Sequence, residues 1–296
     1  MIKKIIEISR GQTYLCVRYD QLLVKQEGQE ERSIPCEDVG VLIVDHPGTR
    51  YSHSVFTKLL EFGAAVVLCG ADHHPSGMLL PVESNTLQTE IYRNQINAKE
   101  PLKKNLWKQI IQAKIKHQAK LVEDYPKIHA ALKAMVTKVR SGDPDNIEAQ
   151  ASRKYWQAVF EETSFRRGRD GGPPNNMLNY GYMVMRAAVA RALCSSGLLP
   201  SLGIHHRNRY NAFCLADDIV EPFRGYVDAK VKEIYKSGVD VAELGQEIKA
   251  RILETLYENV TIGGFSGPLL VGMHRTTASL QRCFAGEQKN IELPEL

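Results

Sequence analysis

Two carboxylates three or four positions apart, shortly after a pair of histidines, form the stretch of this sequence best suited to chemistry. The acids are Asp217, Asp218 and Glu221 in Leu215-Ala216-Asp217-Asp218-Ile219-Val220-Glu221-Pro222-Phe223-Arg224, and the histidines stand in Gly203-Ile204-His205-His206-Arg207. On a helix, Asp218 with Glu221 and Asp217 with Glu221 share one face, while Ile219 and Val220 turn toward packing. Like charges so placed repel by up to about 0.5 kcal/mol, so something positive is expected to offset them. A helix start is one answer, since its dipole favours negative charge by about 0.3 to 1 kcal/mol. A divalent cation is the other. With a Glu from another helix and an imidazole, the acids make a mixed oxygen and nitrogen donor set suited to Mg²⁺ or Mn²⁺, and such an ion acts on phosphate esters. Glu148, in the helix-forming stretch Asn146-Ile147-Glu148-Ala149-Gln150-Ala151-Ser152-Arg153-Lys154-Tyr155-Trp156, is a candidate for that Glu, although a helical Glu is more often a solvated charge.

These residues need elements to carry them. The chain of 296 residues is 43% apolar and 24% charged, an ordinary globular composition that argues against long disorder or a fibrous repeat. Short apolar segments at 5–8, 13–18, 22–24, 39–44 and 64–69, separated by turn residues, predict strands, and Ser54 predicts the cap of a short helix. From about residue 80 the spacing changes to threes and fours, predicting helices over 87–98, 102–123, 127–139, 147–161, 177–195, 217–236 and 241–258. The expected class is α+β: a small N-terminal β-rich domain over 1–84 with one helix, then a larger all-helical domain over 85–296 that carries the chemistry.

The start lacks the apolar run and cleavage site of a secretory signal, and Arg186 and Arg191 interrupt the best candidate for a membrane span. Six cysteines lie far apart without a C-x-x-C pair, as expected of reduced thiols in a cytoplasmic protein. The net charge of +4 names no partner, but over 99–140 eleven Lys and Arg stand against three acids. Such a strip is either a solvated helix face or a surface for a polyanion. The segment Phe165-Arg166-Arg167-Gly168-Arg169-Asp170-Gly171-Gly172-Pro173-Pro174-Asn175-Asn176 is a loop by composition, either a plain connector or a set of backbone clamps beside a phosphate site.

Taken together, the Glu148 helix, Asn176-Met177-Leu178-Asn179-Tyr180-Gly181-Tyr182, the Gly-Ile-His-His turn and Asp218-Ile219-Val220-Glu221-Pro222-Phe223-Arg224 resemble the CRISPR-associated protein-one family of spacer integrases, type II-like versions above all. The likeness runs along nearly the whole chain and includes His46-Pro47-Gly48-Thr49 and His74-Pro75-Ser76-Gly77 in the first part. It implies a metal-dependent endonuclease and integrase that joins a DNA 3′-hydroxyl to a phosphodiester at a CRISPR repeat. By position it places the metal ligands on Glu148, His206 and Glu221, the last an Asp in many relatives, with Mg²⁺ or Mn²⁺ bound. Asp218, Tyr155 and Asn179 fall in supporting places: Tyr155 either brings its hydroxyl to a phosphate or leaving oxygen or packs in the core with Trp156, and Asn179 either helps hold the site or the DNA backbone or is a buried amide satisfied by backbone groups. Lys103, Lys104, Lys108, Arg153, Arg166, Arg167 and Arg169 become candidate contacts to DNA. The implied partners are double-stranded DNA, a second copy of the chain, the small CRISPR-associated protein two and further type II adaptation or effector proteins, with no membrane.

Overall fold

The computed structural model describes residues 3–71, 73, 75–160, 165–168 and 171–295. The first part holds β1 (Lys4–Ile8), β2 (Thr13–Arg18), β3 (Gln21–Gln26), β4 (Arg32–Pro35), β5 (Val39–Val44), β6 (Arg50–Tyr51), α1 (His53–Glu61), β7 (Ala65–Cys69) and β8 (Pro75–Leu79). They form two four-stranded sheets, ordered β1-β5-β7-β8 and β4-β3-β2-β6. All five expected strands are present. Polar or very short β4, β6 and β8 carried too little apolar alternation to be anticipated. Tyr19 and Asp20, both left-handed, make the two-residue turn that brings Arg18 opposite Gln21.

In the first sheet β1, β5 and β7 run parallel, and every residue of β5 is buried, which is why Val-Gly-Val-Leu-Ile-Val is a continuous apolar run. Alternation sends Val41, Ile43 and Val67 into the core of the helical part. Leu42, Val44 and Val66 point the other way, toward Leu15 and Leu22 of the second sheet and Val55 and Leu59 of α1.

The rest is mainly helical: α2 (Gln88–Asn97), α3 (Glu100–Leu121), α4 (Pro126–Val136), α5 (Ile147–Trp156), α6 (Asn175–Ser195), α7 (Cys214–Val220), α8 (Arg224–Lys236), α9 (Gln246–Glu254) and α10 (Leu269–Ala285). The α+β class holds, but this part is not all helix. Strands β9 (Asn259–Ile262), β10 (Phe265–Pro268) and β11 (Pro294–Glu295) pair in the order β10-β9-β11. The stretch 217–236, expected as one helix, is two, joined by the 3-10 turn Glu221–Phe223. Pro222 lacks the N–H that a continuous helix needs, and the 3-10 turn opens at Glu221. Helix α5 ends at Trp156, short of the expected end at 161, which lies outside the described residues. No helix among the described residues is long and apolar enough to cross a membrane.

Candidate metal centre

Glu148 stands in the first turn of α5, whose start is fixed by side chains. The Asp143 carboxylate accepts from the backbone N–H of Ile147 and of Glu148, both at 2.9 Å, and the Asn146 side chain accepts from Ala149 N at 3.4 Å. The cap removes orphan donors and fixes the direction from which Glu148 leaves the helix. Its carboxylate meets Lys114 Nζ from the middle of α3. The same ammonium is 2.6 Å from Glu221 Oε2, an ion pair outside hydrogen-bond alignment. Arg224 lies 3.0 Å from Glu221 Oε1. Burial would push the Glu221 carboxyl up, but Arg224 and Lys114 outweigh it and hold the group below its usual range. Burial likewise works against the Lys114 charge, and the two glutamates reverse the sign.

His206 is held from twelve positions further along. Fully buried Asp218 accepts the backbone N–H of Ile204, His205 and His206 at 2.6, 3.0 and 3.2 Å, and its Oδ1 lies 2.6 Å from His206 Nδ1. With Nδ1–H donating to Asp218, Nε2 is left as the acceptor, the usual arrangement of a ligand histidine. The bond to Asp218 raises the imidazole pKa against the effect of burial, and Glu221 adds to the rise. A Cβ on Gly203 would fall 2.3 Å from the His206 carbonyl oxygen, so this turn closes only around glycine. His205 stacks flat on Trp107, centroids 4.2 Å apart, and is thereby committed to packing. Asp217 is committed too, 2.8 Å from Arg186.

Beside the glutamates lies a cavity of about 290 Å³ lined by Lys114, Glu148, Ser152, Trp156, Arg167, Tyr182, Glu221, Arg224 and Asp228, among others. The Arg224 and Arg167 guanidiniums sit over the Tyr182 ring at 4.6 and 5.3 Å. The Tyr182 hydroxyl donates to Asp228. Tyr155 donates to the other Asp228 oxygen at 2.9 Å and is fully buried, so of its two expected roles it takes the one in the core, with its hydroxyl turned to Asp228 and not to a phosphate. Burial raises the Asp228 carboxyl to about 6 despite the two tyrosine bonds. Asn179 accepts from Arg167 at 2.6 Å and so aims that arginine.

Two of the three expected ligands therefore meet on one positive charge, and the third stands apart. Among the described residues no three His, Cys, Asp or Glu side chains are grouped closely enough to hold a metal ion as they stand. The donors nonetheless fit one. Two hard carboxylate oxygens converge on one ammonium, and the oriented imidazole is within electrostatic reach of Glu221. The expected DNA contacts spread more widely. Lys103 and Lys108 are half-buried, and Lys104, Arg153 and Arg166 are exposed. Lys104 lies ten residues, about 15 Å along α3, from Lys114. Arg169 and His74 lie outside the described residues. Lys114, Arg224, Tyr182 and Asp228 were not anticipated as site residues. Lys114 follows Trp107, Ile110 and Ile111 on the apolar stripe of α3, and a charge on a core stripe was the available signal.

The chain has known relatives. The family model described as "CRISPR associated protein Cas1" matches residues 6–241. The chain belongs to the Cas1 family. It is 37% identical over 285 residues to the CRISPR-associated endonuclease Cas1 of Neisseria meningitidis serogroup C (strain 8013), covering 95% of this chain and 93% of that one. Among solved structures, the fold is shared with a casposase bound to integration product, at TM-score 0.82 and 19% identity over 97% of this chain and 92% of that one. A chain of a Cas6-RT-Cas1–Cas2 complex matches at TM-score 0.77 and 18% identity, over 97% of this chain and 35% of that one. In this member of the Cas1 family the Gly-Ile-His-His turn is held by Asp218, and Glu148 and Glu221 meet at Lys114.

Proposed function

We propose that this Cas1 protein is the integrase of CRISPR adaptation, joining the 3′-hydroxyl of a short DNA fragment to a phosphodiester at the CRISPR repeat, with Glu148, His206 and Glu221 holding Mg²⁺ or Mn²⁺. The observation that carries this is the meeting of the Glu148 and Glu221 carboxylates on a single positive charge at the edge of a cavity walled by Arg167 and Arg224. When bound, a divalent ion supplies Lewis-acid polarisation of the phosphate and eases deprotonation of the attacking hydroxyl. The protein's own groups do the rest. Asp218 keeps the His206 Nδ1 proton in place, so Nε2 remains a donor of electrons. Arg167 and Arg224, steadied over Tyr182, orient phosphate oxygens by charge-assisted hydrogen bonds. Transfer occurs directly between DNA oxygens, so no enzyme nucleophile is required.

Two strand transfers on opposite strands call for more than one site. The assembly is accordingly a homodimer joined to Cas2 on double-stranded DNA, in the manner that the Cas6-RT-Cas1–Cas2 relative is named for, with type II adaptation or effector proteins as further partners. Residues 1–84 supply the dimer contacts and 85–296 the catalytic part, with Lys103, Lys104, Lys108, Arg153, Arg166 and Arg169 along the DNA. The six cysteines are all free, in keeping with a cytoplasmic setting.

The test is a supercoiled plasmid carrying a repeat, incubated with end-labelled fragments and Mn²⁺. Label should become covalently joined to the plasmid, and Glu148→Ala should abolish the joining. Plasmid cutting without label transfer would instead make the chain a nuclease that uses water. Equal transfer by Glu148→Ala would remove the metal reading altogether.

A further inference from the structure

The charges around Glu148 and Glu221 cancel before any metal arrives. Lys114 touches both carboxylates and Arg224 a remaining oxygen of Glu221, so two acids face two cations. Lys114 comes from α3, an element that carries neither acid, and its side chain is only 10% exposed. A divalent ion entering beside an ammonium meets like-charge repulsion. The ion and the ammonium cannot both hold the same two carboxylates. Lys114 has a flexible four-carbon stem and already lines the cavity that Arg167 and Arg224 wall. What that cavity lacks, with the glutamates taken up by a metal, is negative charge, and a DNA phosphodiester brings it.

We propose that Lys114 makes metal uptake conditional on DNA: it occupies the cation position in the free protein and passes to a phosphate in the cavity when the ion and the DNA bind together. This rests on the metal reading of Glu148 and Glu221 and adds the order of assembly to it. Binding of the two ligands is then coupled through one side chain, and the coupling is reciprocal: DNA tightens metal by the factor by which metal tightens DNA. A site assembled this way holds little metal while no substrate is present.

The chain's two tryptophans make the test direct, since Trp156 lines the cavity and Trp107 lies edge-on to His206. The full chain is titrated with Mn²⁺ at mildly alkaline pH without DNA, following tryptophan quenching, and a labelled duplex is titrated by anisotropy with and without Mn²⁺. Lys114→Met should bind Mn²⁺ about tenfold tighter than wild type in the absence of DNA, within the usual coupling range. Wild type should gain at least about fivefold in DNA affinity from Mn²⁺, and the variant should lose most of that gain. Lys114→Gln, which keeps a hydrogen-bond donor without the charge, should behave likewise and serves if the methionine variant does not fold. Unchanged or weaker Mn²⁺ binding in both variants overturns the proposal while leaving the metal site intact. If Glu221→Gln titrates with Mn²⁺ as wild type does, the acids do not bind metal, and the functional reading and this inference fall together.

Discussion

Lys114 between Glu148 and Glu221 has a chemical twin in Lys249, which lies 3.0 Å from Glu7 Oε1 and 2.6 Å from Asp45 Oδ2. Each is a buried ammonium between two carboxylates with an imidazole close at hand, His206 on Asp218 in one case and His73 on Asp45 in the other. Their surroundings differ. Glu7 and Asp45 keep 6% and 3% of their side chains exposed, while Glu148 keeps 30% and borders a cavity. Glu221 has Arg224 as a second cation and is held below its usual range, whereas Glu7 shares Lys249 with Asp45 and is pushed up by burial. Lys249 also ties α9 to β1 and to the residue after β5, with the Tyr180 ring 5.4 Å beneath it. The same kinds of group make a joint where both acids are sealed, and leave a carboxylate open to a cavity where the two acids are matched by two cations.

The comparison is most easily broken by removing each lysine. Lys249→Met leaves two buried carboxylates without their ammonium and should cost about 3–5 kcal/mol, read from the denaturant midpoint. Mn²⁺ should not restore that loss, whereas it should restore much of the loss in Lys114→Met. Equal rescue of both would mean that the two trios do not differ in kind. Next in size is Asp218→Asn, which weakens the support of the His206 ring and should lower Mn²⁺ affinity about 10–100-fold. An unchanged titration would show that the imidazole is not a ligand.

The smallest effects are in the pH dependence, and they have opposite signs at the two sites. In the folded chain Glu7 binds its proton above the ordinary value of 4.5, so its contribution to stability declines as pH rises from 4.5 through the raised value. Glu7→Gln should flatten that decline in a plot of Tm against pH. Glu221 lies on the other side: its contribution is present above 4.5 and is lost as pH falls below it, so Glu221→Gln should remove an acid-side loss. Parallel shifts in the two variants would contradict the assignment of one site as open and the other as sealed.

How far the sequence spoke depended on whether a residue's role was local. The strands over 13–18 and 39–44 were legible because alternation or a continuous apolar run is written in neighbouring residues. The carboxylate pair around Glu221 was legible for the same reason, and Pro222 was visible, although the helix break it causes was not drawn from it. Lys114 was lost in a run of eleven basic residues, and what sets it apart is that α3 turns it inward against acids 34 and 107 positions away. Tyr182 and Asp228 were hidden likewise, since their bond joins α6 to α8 across 46 positions. For Tyr155 the choice between the core and a phosphate stayed open because burial is not local information: Asp228, 73 positions on, claims its hydroxyl.

The sheet formed by β1, β5, β7 and β8 gives half of its side chains to each of two cores, with Val41, Ile43 and Val67 seated among helical residues. A cut near residue 84, where the texture of the sequence changes, would therefore not yield two independent pieces. Each fragment would come away with a bare apolar wall, and the pair would have to be made together to stay in solution.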